Sequence, residues 1–233
     1  MSNYDLSLPV GFNCHVRLFP LDGLVLFPGI IQGLHIFEPR YRAMLEDALQ
    51  HDSLITMAVA MQEENEHCLR PQLFSLASIG RVISCTKLDD GNYNILLLGL
   101  RRATIVTELP PNKPWRQAEV EIVRDVCIAN EKRIGKARED LLAAFRKLAT
   151  RSGIDLEPFE SVDPTQVPLG LLADTIAYSA DLDVNNLLTI LSKIDVVERS
   201  VAVVSMIQAK FLELETTPPQ SGDVGFPPGF SLN

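Results

Sequence analysis

Apolar positions in the first half of the chain come in short runs broken by proline, glycine and acidic pairs, and in the second half they recur in steps of three and four. The first pattern predicts strands and turns, the second helices. Residues 16–19 and 24–27 read as strands ending at Pro20 and at the Pro28-Gly29 turn, because proline removes a ladder donor and glycine admits positive φ. Pro39 is placed to open a helix, where a missing amide hydrogen costs nothing, and Tyr41, Met44, Leu45, Ala48 and Leu49 give that helix one apolar face. Residues 54–61 return to strand character and the polar stretch 63–71 reads as a loop. Residues 80–88 and 92–100 flank Asp89-Asp90-Gly91, whose glycine suits a hairpin turn. Residues 101–109 and 115–126 bring the expectation to about six or seven strands around one helix, which favours a small mixed barrel over a doubly wound parallel sheet.

Beyond residue 126 the period changes. Ile134, Ala137, Leu141, Phe145 and Leu148 mark a helix over 130–150, with Asn130 as its N-cap. A connector over 151–167 carries Gly153, Pro158 and Pro164, after which Pro168 starts a second helix to about Ala180. Asp183 is placed to cap a short third helix, and Asp195 with Glu198 has capping-box spacing for a fourth. Val197, Val201, Val204, Ile207, Phe211 and Leu214 form the stripe of that last helix. The expected class is therefore α+β: a β domain over 1–127 with one internal helix, a helical subdomain like a four-helix bundle over 128–215, and a Pro/Gly-rich tail over 216–233.

Composition narrows the functional classes. The 233 residues are 46% hydrophobic and 22% charged, as in an ordinary globular protein. A formal charge of −9 offers a nucleic-acid backbone no general attraction, since such binding relies on Lys and Arg displacing counterions. Four cysteines, Cys14, Cys68, Cys85 and Cys127, show neither paired spacing nor regular histidine neighbours, so reduced structural thiols are expected, and no metal or cofactor. The adjacent pairs Cys14-His15 and His67-Cys68 are the weak exception. The N-terminal residues lack a basic leader and apolar core, and no run approaches the roughly 20 apolar residues of a membrane span, so the expected location is cytoplasmic with no membrane contact.

Three segments share one resemblance. VRLFPLDGLVLFPGIIQGLHIFEPRYRAMLEDALQH over 16–51 has an apolar strand ending in Phe-Pro-Leu, a Phe-Pro-Gly turn and a helix opened by Glu-Pro-Arg-Tyr. SIGRVISCTKLDDGNYNILLLGLRRATI over 78–105 adds a Gly-led strand, an Asp-Gly hairpin and a strand ending in Gly-Leu-Arg-Arg, and PLGLLADTIAYSADLDVNNLLTIL follows from Pro168. Together these resemble the N-terminal substrate-binding domain of the Lon protease family, over roughly residues 16–214. The resemblance implies a PUA-like β pseudo-barrel followed by a helical subdomain. A full Lon protease continues into an ATPase and a serine-lysine protease. Here Arg133-Ile134-Gly135-Lys136-Ala137 lacks the first glycine and the Ser or Thr of a phosphate loop, and Ser192-Lys193 is a chance pair near a helix end. The expectation is a stand-alone recognition module, not an enzyme, that binds unfolded or apolar polypeptide. A separate ATPase, protease or chaperone is its candidate partner, and homo-oligomerisation stays open.

Individual residues give two readings each. His35 with Glu38 has the makings of an acid-base pair but reads as structural or solvated. Lys132, Arg133, Lys136, Arg138, Arg146, Lys147 and Arg151 are interleaved with Glu131, Glu139 and Asp140, which favours a solvated helix face over a nucleic-acid patch. Trp115 reads as a core plug ahead of a binding anchor. A receptor for unfolded chains needs an apolar patch or an open sheet edge, and Phe27, Ile30, Leu34 and Phe37, beside strand ends and turns, are its candidate residues. The competing reading makes these four barrel core. Two other functional classes are carried: an RNA-binding PUA-like protein, and a small-molecule enzyme using a cleft between barrel and helices.

Overall fold

The computed structural model describes residues 5–61, 70–156, 159 and 163–216, in two compact units that divide between Val123 and Arg124. The first unit carries β1 (His15–Leu21), β2 (Ile31–Ile36), α1 (Pro39–Gln50), β3 (Leu54–Ala60), β4 (Leu73–Lys87), β5 (Tyr93–Glu108) and β6 (Arg116–Val123). Its strands form one sheet in the order β2-β5-β4-β3-β1-β6, and β6 pairs with β5 as well. That extra pairing closes β5, β4, β3, β1 and β6 into a ring. It leaves β2 outside, paired with the first part of β5 from Tyr93 to Leu98. Only β1 with β3 is parallel; the other pairs are antiparallel.

The pattern explains the burial. β3, LITMAVA, lies between β4 and β1 and is buried from Leu54 to Val59. Tyr41, Met44 and Leu45 of α1 pack with Phe19, Ile36 and Ile95 in one core cluster, while Leu18, Ile79, Leu100 and Val120 belong to a second. Leu49, expected on the buried face of α1, is 42% exposed, because Tyr41, Met44, Leu45 and Ala48 already complete that face. Gly91 takes φ 82° in the β4–β5 hairpin, and its N–H donates to Leu88 O at 3.0 Å.

Three strand expectations change. β1 continues through Pro20 to Leu21, which is possible because its pairing with β6 spans only residues 15–18, so the missing N–H interrupts no bond to that strand. Residues 24–27 are not a strand. They are held by single contacts instead, such as Ser78 Oγ donating to Leu26 O at 2.5 Å. Residues 92–100 and 101–109 form one long strand, since shifts of register carry β5 past Gly99 without breaking it. The expected loop over 63–71 falls largely outside the described residues, as do His67 and Cys68 and all of the expected tail beyond Thr216.

The second unit contains α2 (Glu131–Ser152), α3 (Leu169–Ser179), α4 (Val184–Ser192) and α5 (Val196–Thr216). Asn130 Oδ1 accepts from Arg133 N–H at 3.0 Å, and Asp183 Oδ1 from Asn186 N–H at 3.0 Å. Asp195 Oδ1 accepts from both Val197 and Glu198 N–H at 2.9 Å, so all three expected caps form. The α5 stripe holds in part: Val197 and Ile207 are buried as expected, but Val201 is 58% exposed and the buried face is completed by Val196, Arg199, Ser200 and Val203. Arg199, fully buried, donates to Asp125 at 2.5 and 2.9 Å and to Asp174 at 3.4 Å. Residues 124–126 belong with these helices, because Val126 N–H donates to Ile194 O at 2.9 Å and Val126 O accepts from Val196 N–H at 3.0 Å.

Candidate functional site

The four apolar candidates separate by burial. Phe27 and Leu34 are 0% and 1% exposed and Ile30 is 8%, so these three are core and present nothing to a partner. The physical reason is alternation: Leu34 and Ile36 point into the cluster around α1, and Phe27 lies beneath the Arg102 guanidinium at 5.9 Å. Phe37 alone is accessible, at 38%.

Phe37 has company that sequence reasoning missed. Ile31, Gly33 and His35 share the outward parity of Phe37, opposite to that of Leu34 and Ile36. On β5, Leu96 stands across from Gly33 and Asn94 from His35. Ile31 is 39% exposed and Leu96 40%, so an apolar row runs along the outer face of β2 and its neighbour. His35 Nδ1 and Asn94 Oδ1 are 2.8 Å apart, and the His35 ring stacks on Phe37 with centroids 6.0 Å apart. Glu38 pairs with Arg40 at 2.8 Å, so His35 and Glu38 do not form an acid-base pair with each other. On the β4 side the row gives way to exposed Ser84 and Thr86.

The helical unit has a concavity of its own, a groove of about 720 Å³ between α2 and α5 lined by Ala143, Ala144, Val201, Val204, Phe211 and Leu212. The expected α5 stripe concealed it by assigning Val201, Val204 and Phe211 to the core. Among the basic residues of α2, Lys136 pairs with Asp140 at 2.7 Å and Arg138 donates to Val167 O at 2.7 Å. Trp115 is 6% exposed within the first core cluster, as a plug would be. Among the described residues no three His, Cys, Asp or Glu side chains are placed to hold a metal ion, and no helix is long and apolar enough to cross a membrane.

Residues 15–209 match the family model for the ATP-dependent protease La (LON) substrate-binding domain. The chain belongs to that family. Among curated relatives, Lon protease 2 of Myxococcus xanthus is 27% identical over 199 residues, covering 83% of this chain and 23% of the relative. Lon protease 1 of Bacillus subtilis (strain 168) is 23% identical over 204 residues, covering 86% of this chain and 26% of the relative. The chain thus spans about a quarter of the length of these Lon proteases. Two solved Lon structures share the fold. The N-terminal domain of Mycobacterium avium complex Lon protease superposes with TM-score 0.63 at 18% identity, over 83% of this chain and 98% of that one. The Lon N-terminal domain protein from Xanthomonas campestris gives 0.58 at 19%, over 82% and 97%. The matched region is a substrate-binding domain, and substrate recognition is the role its family assigns it.

Proposed function

We propose that this chain recognises unfolded or apolar polypeptide and does no chemistry on it, handing it to a separate ATPase, protease or chaperone in the cytoplasm. The observation that carries the reading is the accessible apolar row of Ile31, Phe37 and Leu96 in a domain of the Lon substrate-binding family. A folded protein buries such side chains and an unfolded one exposes them, so an exposed apolar row distinguishes the two states of a client. The strand ring with its internal helix is read as a PUA-like barrel, and α2 to α5 as a four-helix bundle.

Binding is tested by titrating fluorescein-labelled reduced casein against this protein and following anisotropy, with a compact folded protein of similar size as control. The expected result is saturable binding of casein and none of the control. No saturation at high micromolar concentration refutes the reading. The hand-over step is tested separately by affinity capture from native lysate, where recovery of no ATPase, protease or chaperone counts against it.

A further inference from the structure

We infer that polypeptide docks on the open edge of β2 as an added strand, so that its backbone is recognised as well as its apolar side chains. This rests on the function proposed above and specifies how the client is held. β2 is the outermost strand in the sheet order and pairs only with β5 among the described residues. The hydrogen-bond phase of that pair is set at its start, where Gly99 N–H donates to Ile30 O at 2.8 Å. Antiparallel pairing alternates bonded and non-bonded residues, so Gln32, Leu34 and Ile36 turn their peptide groups toward β5. Ile31, Gly33 and His35 therefore turn theirs outward. On this edge Gly33 O accepts from the Gln32 side-chain Nε2 at 2.9 Å, a local bond that the incoming strand replaces.

Only an extended chain offers alternating N–H and C=O groups at the spacing of such an edge; a helix satisfies its own, and a nucleic-acid phosphate supplies acceptors alone. The charge pattern selects the kind of chain. No Lys, Arg, Asp or Glu lies between Ile31 and Phe37, and the next charge, Glu38, is engaged by Arg40. Exposed edges are commonly blunted by lysine, proline or a bulge, and none of these interrupts β2, whose register with β5 is regular from Ile31 to Ile36. A neutral, apolar, extended segment of about six residues matches the edge in length and charge. Every second side chain of that segment shares a face with Ile31, His35 and Phe37, where the apolar row continues beneath it.

The test uses a fluorescein-labelled heptapeptide, Thr-Val-Thr-Phe-Thr-Val-Thr, and two versions N-methylated at one or the other set of alternate amides. Added-strand binding loses about tenfold or more in affinity for one methylated version and stays within about threefold for the other, because only one set of amides faces β2. Equal effects of the two methylations, or no effect of either, overturn the inference. If reduced casein binds and the parent peptide does not, the edge site is refuted and polypeptide recognition stands; if neither binds, both fail. Gly33→Pro gives a second readout, since its N–H faces outward and its loss breaks no bond to β5. Peptide affinity is expected to fall about fivefold or more in this variant. Unchanged affinity in a variant with wild-type circular dichroism also overturns the inference.

Discussion

Gly99→Ala is the perturbation for which the structure states the cost most directly. A methyl group there stands 2.1 Å from the carbonyl oxygen of Phe27 and 2.8 Å from its carbon, whereas ordinary contact begins near 3.4 Å. The obstacle is backbone, so no rotamer change relieves it. Residues 27–30 must move away, which disrupts two hydrogen bonds: Gly29 N–H to Gly99 O and Gly99 N–H to Ile30 O, both 2.8 Å. Overpacking costs about 1–3 kcal/mol and each lost bond about 1 kcal/mol, for a total of about 3–5 kcal/mol. Against a typical domain stability of about 5–15 kcal/mol this is a large fraction of the total. Equilibrium urea unfolding followed by fluorescence measures it, because Trp115 is the sole tryptophan and lies buried in this unit. A loss below about 1 kcal/mol would refute the reasoning. Gly80→Ala is the comparison: its methyl meets Cγ of the buried Leu97 side chain at 2.7 Å but no backbone atom, and the cost is expected to be smaller.

Other outcomes follow from the same structure. Arg199→Ala removes the guanidinium that joins Asp125 and buried Asp174, and urea unfolding is expected to show a loss of about 3–5 kcal/mol, less for Arg199→Met, which retains packing. Asn130→Ala deletes the α2 cap and is expected to cost about 1 kcal/mol by thermal unfolding. Hydrogen bonds from Arg116, reinforced by Arg70 against the effect of burial, hold the Glu108 carboxyl below its ordinary 4.5. Its contribution to stability is therefore complete above pH 4.5 and is lost as pH falls through the lower folded value. Glu108→Gln should flatten that part of the acid limb in urea midpoints taken from pH 7 to pH 3.

Much of the fold was legible because its signals are local. Gly91 in the hairpin, Pro39 opening α1, and the caps at Asn130, Asp183 and Asp195 each depend on neighbours within a few residues. What was not legible depends on distant partners. Residues 24–27 look like a strand, yet they obey Gly99 and Ser78. The buried face of α5 keeps Val197 and Ile207 but turns away from Val201, and it takes in Arg199, which an apolar pattern passes over because its burial depends on Asp125 and Asp174. The candidate surface shows the same division. Position beside strand ends and turns marked Phe27, Ile30, Leu34 and Phe37, but which side chains face outward follows from the parity of β2 against β5, which buries Leu34 and leaves Ile31 exposed, with Phe37 next in that parity. Leu96 joins the row from about sixty residues away, by register alone.

Polypeptide recognition through the apolar row is measured by the affinity of Phe37→Ser for reduced casein. Phe37 is 38% exposed as a residue, about 80 Å² of roughly 200 Å². Covering that area at about 25 cal/mol per Å² is worth about 2 kcal/mol, or about thirtyfold in Kd. Affinity is expected to weaken by that order in a variant whose circular dichroism and cooperative unfolding remain intact. Wild-type affinity in such a folded variant would contradict recognition through that row.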